Sequence, residues 1–567
     1  MIFENKNFKL YIILALITII VYGPFVCNGG IGSGQDTRAL RIGMNNSSNL
    51  LSIVTSRTSD TFMLHAPLGS RLMIIWIKYF KNCKGLSILF SIVLITLVVL
   101  LLYPIVKNML GQSGAVFFSF FSLFPIIASD IIESHMMFAS HYNVSIVFWS
   151  LSLSFHHKYL LSRKVTFYLL GYLIIIISLI TFPFAIPLLM VSAFYPVLYE
   201  TRNLTTVRIN DIKSEIYKYV IPIIIIFIGY YYYKIYIVNS SYGILPLNKK
   251  SILQFLYLYI AIFVETPLIL IEVIPHLLNV QVILGGSLTI LFFRMVFNND
   301  FMLNKGNDKE KRKEVRFVIL VIISLIACSS FFFISQRGPT TFGYANRYMF
   351  PSFLLISILL GLGFKYIFNS GWRFILTPIG VLWISSMIIQ LDNFSVTAKT
   401  RKLIVNDFSK KFNETNLGKF PVVIACVPGF LDNNYNNEAI FFPMDPWIGD
   451  FMSGVSLYGG INISNIKIFP FNWGTIFREE KLLFTDKYIE YNYHNRTKID
   501  SNLWYYEYNN KSMNSKLMKL YNRDDLDKTI QLIYNNKINY HPLILREKIR
   551  FFFKAKIKSI FIDIPIT

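Results

Sequence analysis

Apolar runs close to twenty residues long recur along the chain between short polar or basic stretches. That length crosses a hydrocarbon core of ~30 Å, so the pattern predicts membrane-spanning helices. The runs fall at about 9–28, 85–106, 114–129, 143–161, 165–183, 184–200, 219–238, 278–297, 316–335, 348–368 and 373–391, which makes eleven spans. Pro183 breaks 165–200 into two arms. Residues 251–275 are apolar enough to cross, but Glu265 and Glu272 interrupt them, and an acid at mid-membrane costs roughly 2.5–3.5 kcal/mol. A helix lying along the interface with both acids on its wet face is the better expectation. After 391 the apolar runs stop. Short strand-like runs, Pro421–Cys426 and Leu503–Tyr508, and a helical pattern near 523–535 predict a small α+β domain over 392–567.

The spans are joined by loops of two kinds. Lys158, Arg163 and Lys164, then Arg202, Arg208, Lys213 and Lys218, then Lys305, Lys309, Lys311, Arg312, Lys313 and Arg316 all fall in alternate loops. The positive-inside bias assigns these to the cytoplasm, with the N-terminus. The loops 29–82, 130–142, 239–277 and 336–347 then face outward, as does 392–567. Composition agrees: 54% of the 567 residues are hydrophobic and only 15% charged, against about a quarter charged in soluble proteins. The net charge of +23 is that of inner loops and headgroup contacts and needs no nucleic acid. The four cysteines show no Cys-x-x-Cys spacing, so no zinc site is expected. Cys27 and Cys83 stand at span ends, as a disulfide or as two small apolar residues.

Candidate chemistry lies in the outer loops. The first holds Gly29-Gly30-Ile31-Gly32-Ser33-Gly34-Gln35-Asp36, with Arg38 and Arg41 beside it and Asp60 further on. A carboxylate there suits a general base, and the arginines suit a phosphate. The same loop ends in His65-Ala66-Pro67-Leu68, where Pro67 would open an interfacial helix carrying Arg71 and Lys78. The loop after the third span brings Asp130, Glu133, His135 and His141 near the bilayer; these suit hydrogen bonds to a sugar better than a metal site. Arg347-Tyr348 precede the tenth span, where an arginine calls for an anion such as a lipid phosphate, or snorkels to headgroups. No cofactor is predicted, and dependence on a divalent metal stays open.

In order and spacing these pieces resemble the GT-C superfamily of membrane glycosyltransferases. The likeness is carried by Asp36 after the first span, His65-Ala66-Pro67-Leu68, the 130–143 loop, Thr181-Phe182-Pro183-Phe184 and Arg347-Tyr348-Met349-Phe350-Pro351. It covers roughly 5–390. Ala66 stands where the family often has proline, and no Asp-Glu pair follows the first span, so Asp36 and Asp60 both stay open as the base. The resemblance implies a mainly α polytopic bundle (1–391) with interfacial helices in the first outer loop, carrying an extracytoplasmic domain (392–567). It further implies transfer of a sugar from a polyprenyl-phosphate donor to a glycan acceptor, such as an O-antigen or lipopolysaccharide intermediate. The setting would be a bacterial inner membrane and the chemistry inverting general-base catalysis. Arg38, Arg41, Arg347 and Tyr348 would hold the donor phosphate, and His65, Asp130, Glu133, His135 and His141 the sugar or acceptor. An O-antigen polymerase and a lipid-linked-sugar flippase are the competing readings. The flippase predicts internal repeats and polar residues deep in the spans, and the sequence shows no repeat and few such residues.

Overall fold

The fold is that of a computed structural model, which describes residues 5–28, 84–128, 138–201, 209–234, 263–298, 308–335, 349–370, 372–415, 421–427 and the C-terminal strands, with isolated positions beside them. It is mainly helical: α1 (Asn5–Asn28), α2 (Lys84–Leu123), α3 (Phe138–Ser162), α4 (Val165–Thr181), α5 (Leu189–Glu200), α6 (Ile209–Tyr232), α7 (Val280–Phe297), α8 (Asp308–Ser335), α9 (Phe350–Asn369) and α10 (Leu376–Glu414). Every sequence-predicted span falls largely on helix. Among the described residues, seven helical segments are long and apolar enough to cross a membrane. Leu86, Leu89, Val93, Leu97 and Leu100 on α2, and Val315, Ile319, Ile322 and Ile326 on α8, form exposed apolar stripes at helical spacing. Such surfaces belong against lipid. This is a multi-pass membrane protein.

Gly111 decides the path of α2. Its φ of 80° and ψ of 178° leave the helical region and reverse the chain, a conformation that only glycine adopts readily. On a straight helix Ile95 and Leu123 would stand roughly 42 Å apart. Instead Leu123 lines one small cavity together with Tyr22, Ile92, Ile95 and Thr96. Two predicted spans, 85–106 and 114–129, are therefore the two arms of α2, and the second arm ends in a turn over 124–128 rather than continuing as helix. The break at Pro183 is also present. Phe182 is extended and a 3-10 turn over Pro183–Leu188 leads into α5.

α10 departs from expectation. The helix runs unbroken past 391, and at 39 residues is roughly 58 Å long, about twice the hydrocarbon thickness. Its residues up to Phe394 join the core of the bundle. Ile404, Val405 and Phe408 join a second core with Val423, Ala425, Phe451, Trp504 and Tyr506. That second core sits on a four-stranded sheet of order β2-β1-β6-β7: β2 (Lys467–Phe471), β1 (Val422–Cys426), β6 (Leu503–Asn509) and β7 (Asn514–Leu520). β1 is parallel to both neighbours and buried at all five positions, as expected for a strand covered on both faces. β3 (Leu482–Phe484), β4 (Tyr488–Tyr491) and β5 (Asn495–Lys498) form an antiparallel meander.

Two further expectations change. Glu265 is fully buried rather than on the wet face of its helix, where its neighbour Ile269 accepts a hydrogen bond from Ser386 on α10 (3.2 Å). Span interiors also hold more polar side chains than the pattern suggested, His156 and His157 included. Many are serines bonded to nearby backbone or side-chain groups, such as Ser145 and Ser178.

Candidate functional site at the loop-bearing end of the bundle

The ends of the helices that flank the candidate loops meet at one end of the bundle. A Cβ on Gly85 would lie 2.7 Å from the carbonyl oxygen of Val26, so the start of α2 rests on the last turn of α1. Tyr22 donates to the carbonyl of Leu123 at 2.5 Å, which brings the end of α2 to the same place. Trp383 on α10 donates its indole N–H to the carbonyl of Phe124 at 2.8 Å. Its ring packs on Phe121 at 4.8 Å and stacks on Phe353 of α9 at 6.4 Å. Cys328 of α8 is hydrogen-bonded to Ser352, tying the later part of α8 to the start of α9. Tyr142, in the first turns of α3, packs between Phe182 and Phe184 at 4.2 and 4.9 Å, and the 3-10 turn that carries Phe184 rests on α8 and α9. The ends of α1, α2, α3, α8 and α9 thus meet at one end of the bundle.

Among the described residues, the basic side chains beside the starts of α4, α6 and α8 gather at the opposite end. Lys313 donates to Asn108 Oδ1 at 2.7 Å, beside the Gly111 turn. Glu314 pairs with Lys365 and accepts from Tyr366 at 3.1 Å. Arg316 donates to the carbonyl of Thr201 at 3.3 Å. Arg163 forms a two-pronged ion pair with Glu200, whose hydrogen bond raises the proton affinity of the guanidinium. Lys218 lies over the rings of Tyr159 and Tyr219, at 4.9 and 4.8 Å.

Asp36, Asp60, Arg38, Arg41, His65, Asp130, Glu133, His135, Arg347 and Tyr348 lie outside the described residues, as does the side chain of His141 in the first turn of α3. Pro67–Gly69, Arg71, Leu72 and Ile75 are helical, where the sequence places an interfacial helix. Cys27 is a free thiol. On α10, sequence reasoning missed one unusual residue. Trp383, Gln390, Thr397 and Arg401 share one face of α10 at helical spacing, and each is at most 3% exposed. Among the described residues, neither polar atom of the Gln390 side chain has a hydrogen-bond partner. Unmet buried polar groups cost roughly 1–3 kcal/mol each, so such residues persist where something else selects them. Asn143, at the start of α3, is likewise buried with both amide atoms unmet. The signal available in the sequence was the polar spacing Ser386, Gln390, Asn393, Thr397 inside and beyond an apolar run.

No protein-family model matches the chain, and no curated protein does. Among solved structures it is similar to the Archaeoglobus fulgidus oligosaccharyltransferase in complex with Zn and sulfate, at 10% identity and a TM-score of 0.33, over 73% of this chain and 60% of that one. A likeness of that size carries no weight for fold or chemistry, and the chain spans less than two thirds of that protein's length.

Proposed function

We propose that the chain is a membrane glycosyltransferase of GT-C type that moves a sugar from a polyprenyl-phosphate carrier to an extracytoplasmic glycan acceptor. The observation that carries this reading is the meeting of the ends of α1, α2, α3, α8 and α9 at one end of the bundle. A lipid-linked donor would reach that end from the bilayer, with its phosphate at the interface. Asp36, or Asp60 in its place, takes the proton of the attacking acceptor hydroxyl. Arg38, Arg41, Arg347 and Tyr348 hold the phosphate and stabilise the charge it gains on leaving. His65, Asp130, Glu133, His135 and His141 hold sugar hydroxyls. The basic end faces the cytoplasm by the positive-inside bias.

The test is transfer or release of labelled sugar by the purified chain in lipid vesicles, offered a panel of polyprenyl-phosphate sugars. Asp36→Asn should abolish release while the protein still inserts and unfolds at the unchanged temperature. Arg347→Ala should raise the KM for donor more than it lowers kcat. Full activity in Asp36→Asn with loss in Asp60→Asn moves the base to Asp60. No release from any donor rejects the reading.

A further inference from the structure

Arg163 lies in the short turn between α3 and α4 with its φ at 59°, a left-handed conformation that glycine or asparagine usually supplies at a helix end. Its side chain makes two bonds to the Glu200 carboxylate on α5 and is still 57% exposed. A guanidinium has more donors than one carboxylate can use, so the outward ones are left for a second anion. Lys164 follows in the same turn and Lys158 precedes it on α3, both exposed. Lys218 on α6 acts on the same Glu200 and lies over the rings of Tyr159 and Tyr219. Tyr168 and Tyr172 on α4 donate to the Lys218 carbonyl at 2.7 and 3.2 Å, which draws α6 against this turn. Among the described residues, the acids beside these four cations are Glu200 and Glu215, and neither Lys158 nor Lys164 has an acidic partner. Val165, Leu169 and Leu173 run on from the turn as an exposed apolar stripe of α4 at helical spacing.

We infer that the α3–α4 turn binds the headgroup of an acidic phospholipid, with the lipid phosphate against Arg163 and Lys164 and an acyl chain along Val165, Leu169 and Leu173. The charge of Lys218 adds to the attraction. The excess of cations over acids selects an anion, and the stripe that begins at the same turn selects one that carries a hydrocarbon tail. The tyrosines mark the level, since their rings favour the headgroup region at the end of a span. A zwitterionic headgroup brings a cation of its own and gains little here. A free phosphate meets the cations and makes no use of the stripe. Because Glu200 already holds the guanidinium in place, little freedom is lost when the lipid arrives. The bound lipid ties α6 to the α3–α4 turn, and the site stands whether or not the chain transfers sugar.

The experiment titrates the detergent-purified full chain with short-chain phosphatidylglycerol, short-chain phosphatidylcholine and inorganic phosphate. It reads bound lipid by native mass spectrometry and thermal unfolding on the same preparations. Phosphatidylglycerol should bind and raise the unfolding temperature, and the other two should do neither. Lys164→Gln and Lys218→Gln should each weaken phosphatidylglycerol binding roughly fivefold, and added salt should weaken it further. Arg163→Gly keeps a residue suited to the turn and removes the guanidinium, so it should abolish the lipid-dependent rise. Lys311→Gln/Arg312→Gln, which removes two exposed charges at the start of α8, should leave binding unchanged. An equal response to phosphatidylcholine would overturn the inference in favour of unselective lipid contact. An equal response to phosphate would overturn it in favour of a soluble anion. Equal weakening by the α8 variant would reduce the site to diffuse charge. Phosphatidylglycerol binding that survives Arg163→Gly, Lys164→Gln and Lys218→Gln would place the lipid elsewhere and overturn the inference outright.

Discussion

Glu314 on α8 and Lys365 on α9 form a buried ion pair at the basic end of the bundle, with side chains 8% and 9% exposed. The pair ties together the two helices that flank the 336–348 segment, and Tyr366 holds the same carboxylate. Removing one partner strands a charge in a poorly solvated place, which costs about 3–5 kcal/mol, whereas replacing both with apolar groups of similar volume is often neutral. Glu314→Leu or Lys365→Met alone should therefore lower the unfolding temperature of the detergent-purified chain sharply. The double variant should recover most of the loss. Simple addition of the two losses would show that the charges are not coupled.

Gly111→Ala tests the reversal of α2. A φ of 80° with ψ of 178° is open to glycine and strained for any residue with a Cβ, at a cost of about 1–3 kcal/mol. Space is not the obstacle, since the nearest atom to a Cβ there is Lys365 Nζ at 3.8 Å. The loss should therefore persist in a Gly111→Ala/Lys365→Met chain measured against Lys365→Met alone. Recovery in that background would mean crowding, not backbone strain.

Gly361 is different, because its neighbours are backbone. A Cβ there would lie 2.7 Å from the carbonyl of Gly114 and 3.0 Å from the amide nitrogen of Phe118. The return arm of α2 and α9 approach this closely because both positions are small or yielding, as is common where helices pack in lipid. Gly361→Ala should push α9 away from α2, lower the unfolding temperature, and loosen the Phe121–Phe364 contact at 4.6 Å. An unchanged unfolding temperature would mean that the interface absorbs a methyl group.

Outside the membrane, Tyr506 donates to Asp407 Oδ2 at 2.8 Å, and burial raises its pKa well above the ordinary tyrosine value. Burial raises those of Tyr505 and Tyr508 too. The folded domain thus holds protons that the unfolded chain releases from about pH 10. Their stabilisation is complete below that pH and is lost as pH rises above it, by about 1.4 kcal/mol per pH unit for each such phenol. Thermal unfolding of the full chain between about pH 8 and about pH 11 should show this fall. Tyr506→Phe should start less stable and fall less steeply. Equal slopes would exclude Tyr506 as a contributor.

How much of this was legible follows from what each environment demands. Lipid accepts only backbone that satisfies itself, so the apolar runs report their helices directly. The two arms of α2 were separable because Lys107, Asn108 and Gln112 interrupt the run, although nothing there marks Gly111 as the pivot. The composition change at 391 reads as a domain boundary, yet Phe394, Ala398, Arg401, Val405 and Phe408 continue at helical spacing, and α10 carries through. Glu265 and Glu272 read as a wet face, and tertiary packing buried the first. Gln390 is a single amide in an apolar stretch, and only its surroundings reveal that both its atoms are unmet. The proposed base and phosphate ligands sit in loops, which carry chemistry without periodicity, so spacing could bring them into one set and no further.

Trp383 joins the two halves of this picture, since its indole N–H holds the Phe124 carbonyl immediately before the segment that bears Asp130, Glu133 and His135. Trp383→Phe keeps an aromatic ring against Phe121 and Phe353 but removes the donor. The Phe124 carbonyl, in a fully buried turn, then keeps only the bond it accepts from the Ile126 N–H at 3.0 Å, so the loss is that of one buried hydrogen bond, about 0.5–1.5 kcal/mol. If that bond only stabilises the fold, Trp383→Phe should unfold earlier and transfer sugar normally at low temperature. If it also bears on the residues that follow, the KM for donor or acceptor should rise even where the protein is fully folded. Measuring KM well below the unfolding temperature separates the two. A rise there makes Trp383 a positioning residue, and an unchanged KM confines it to stability.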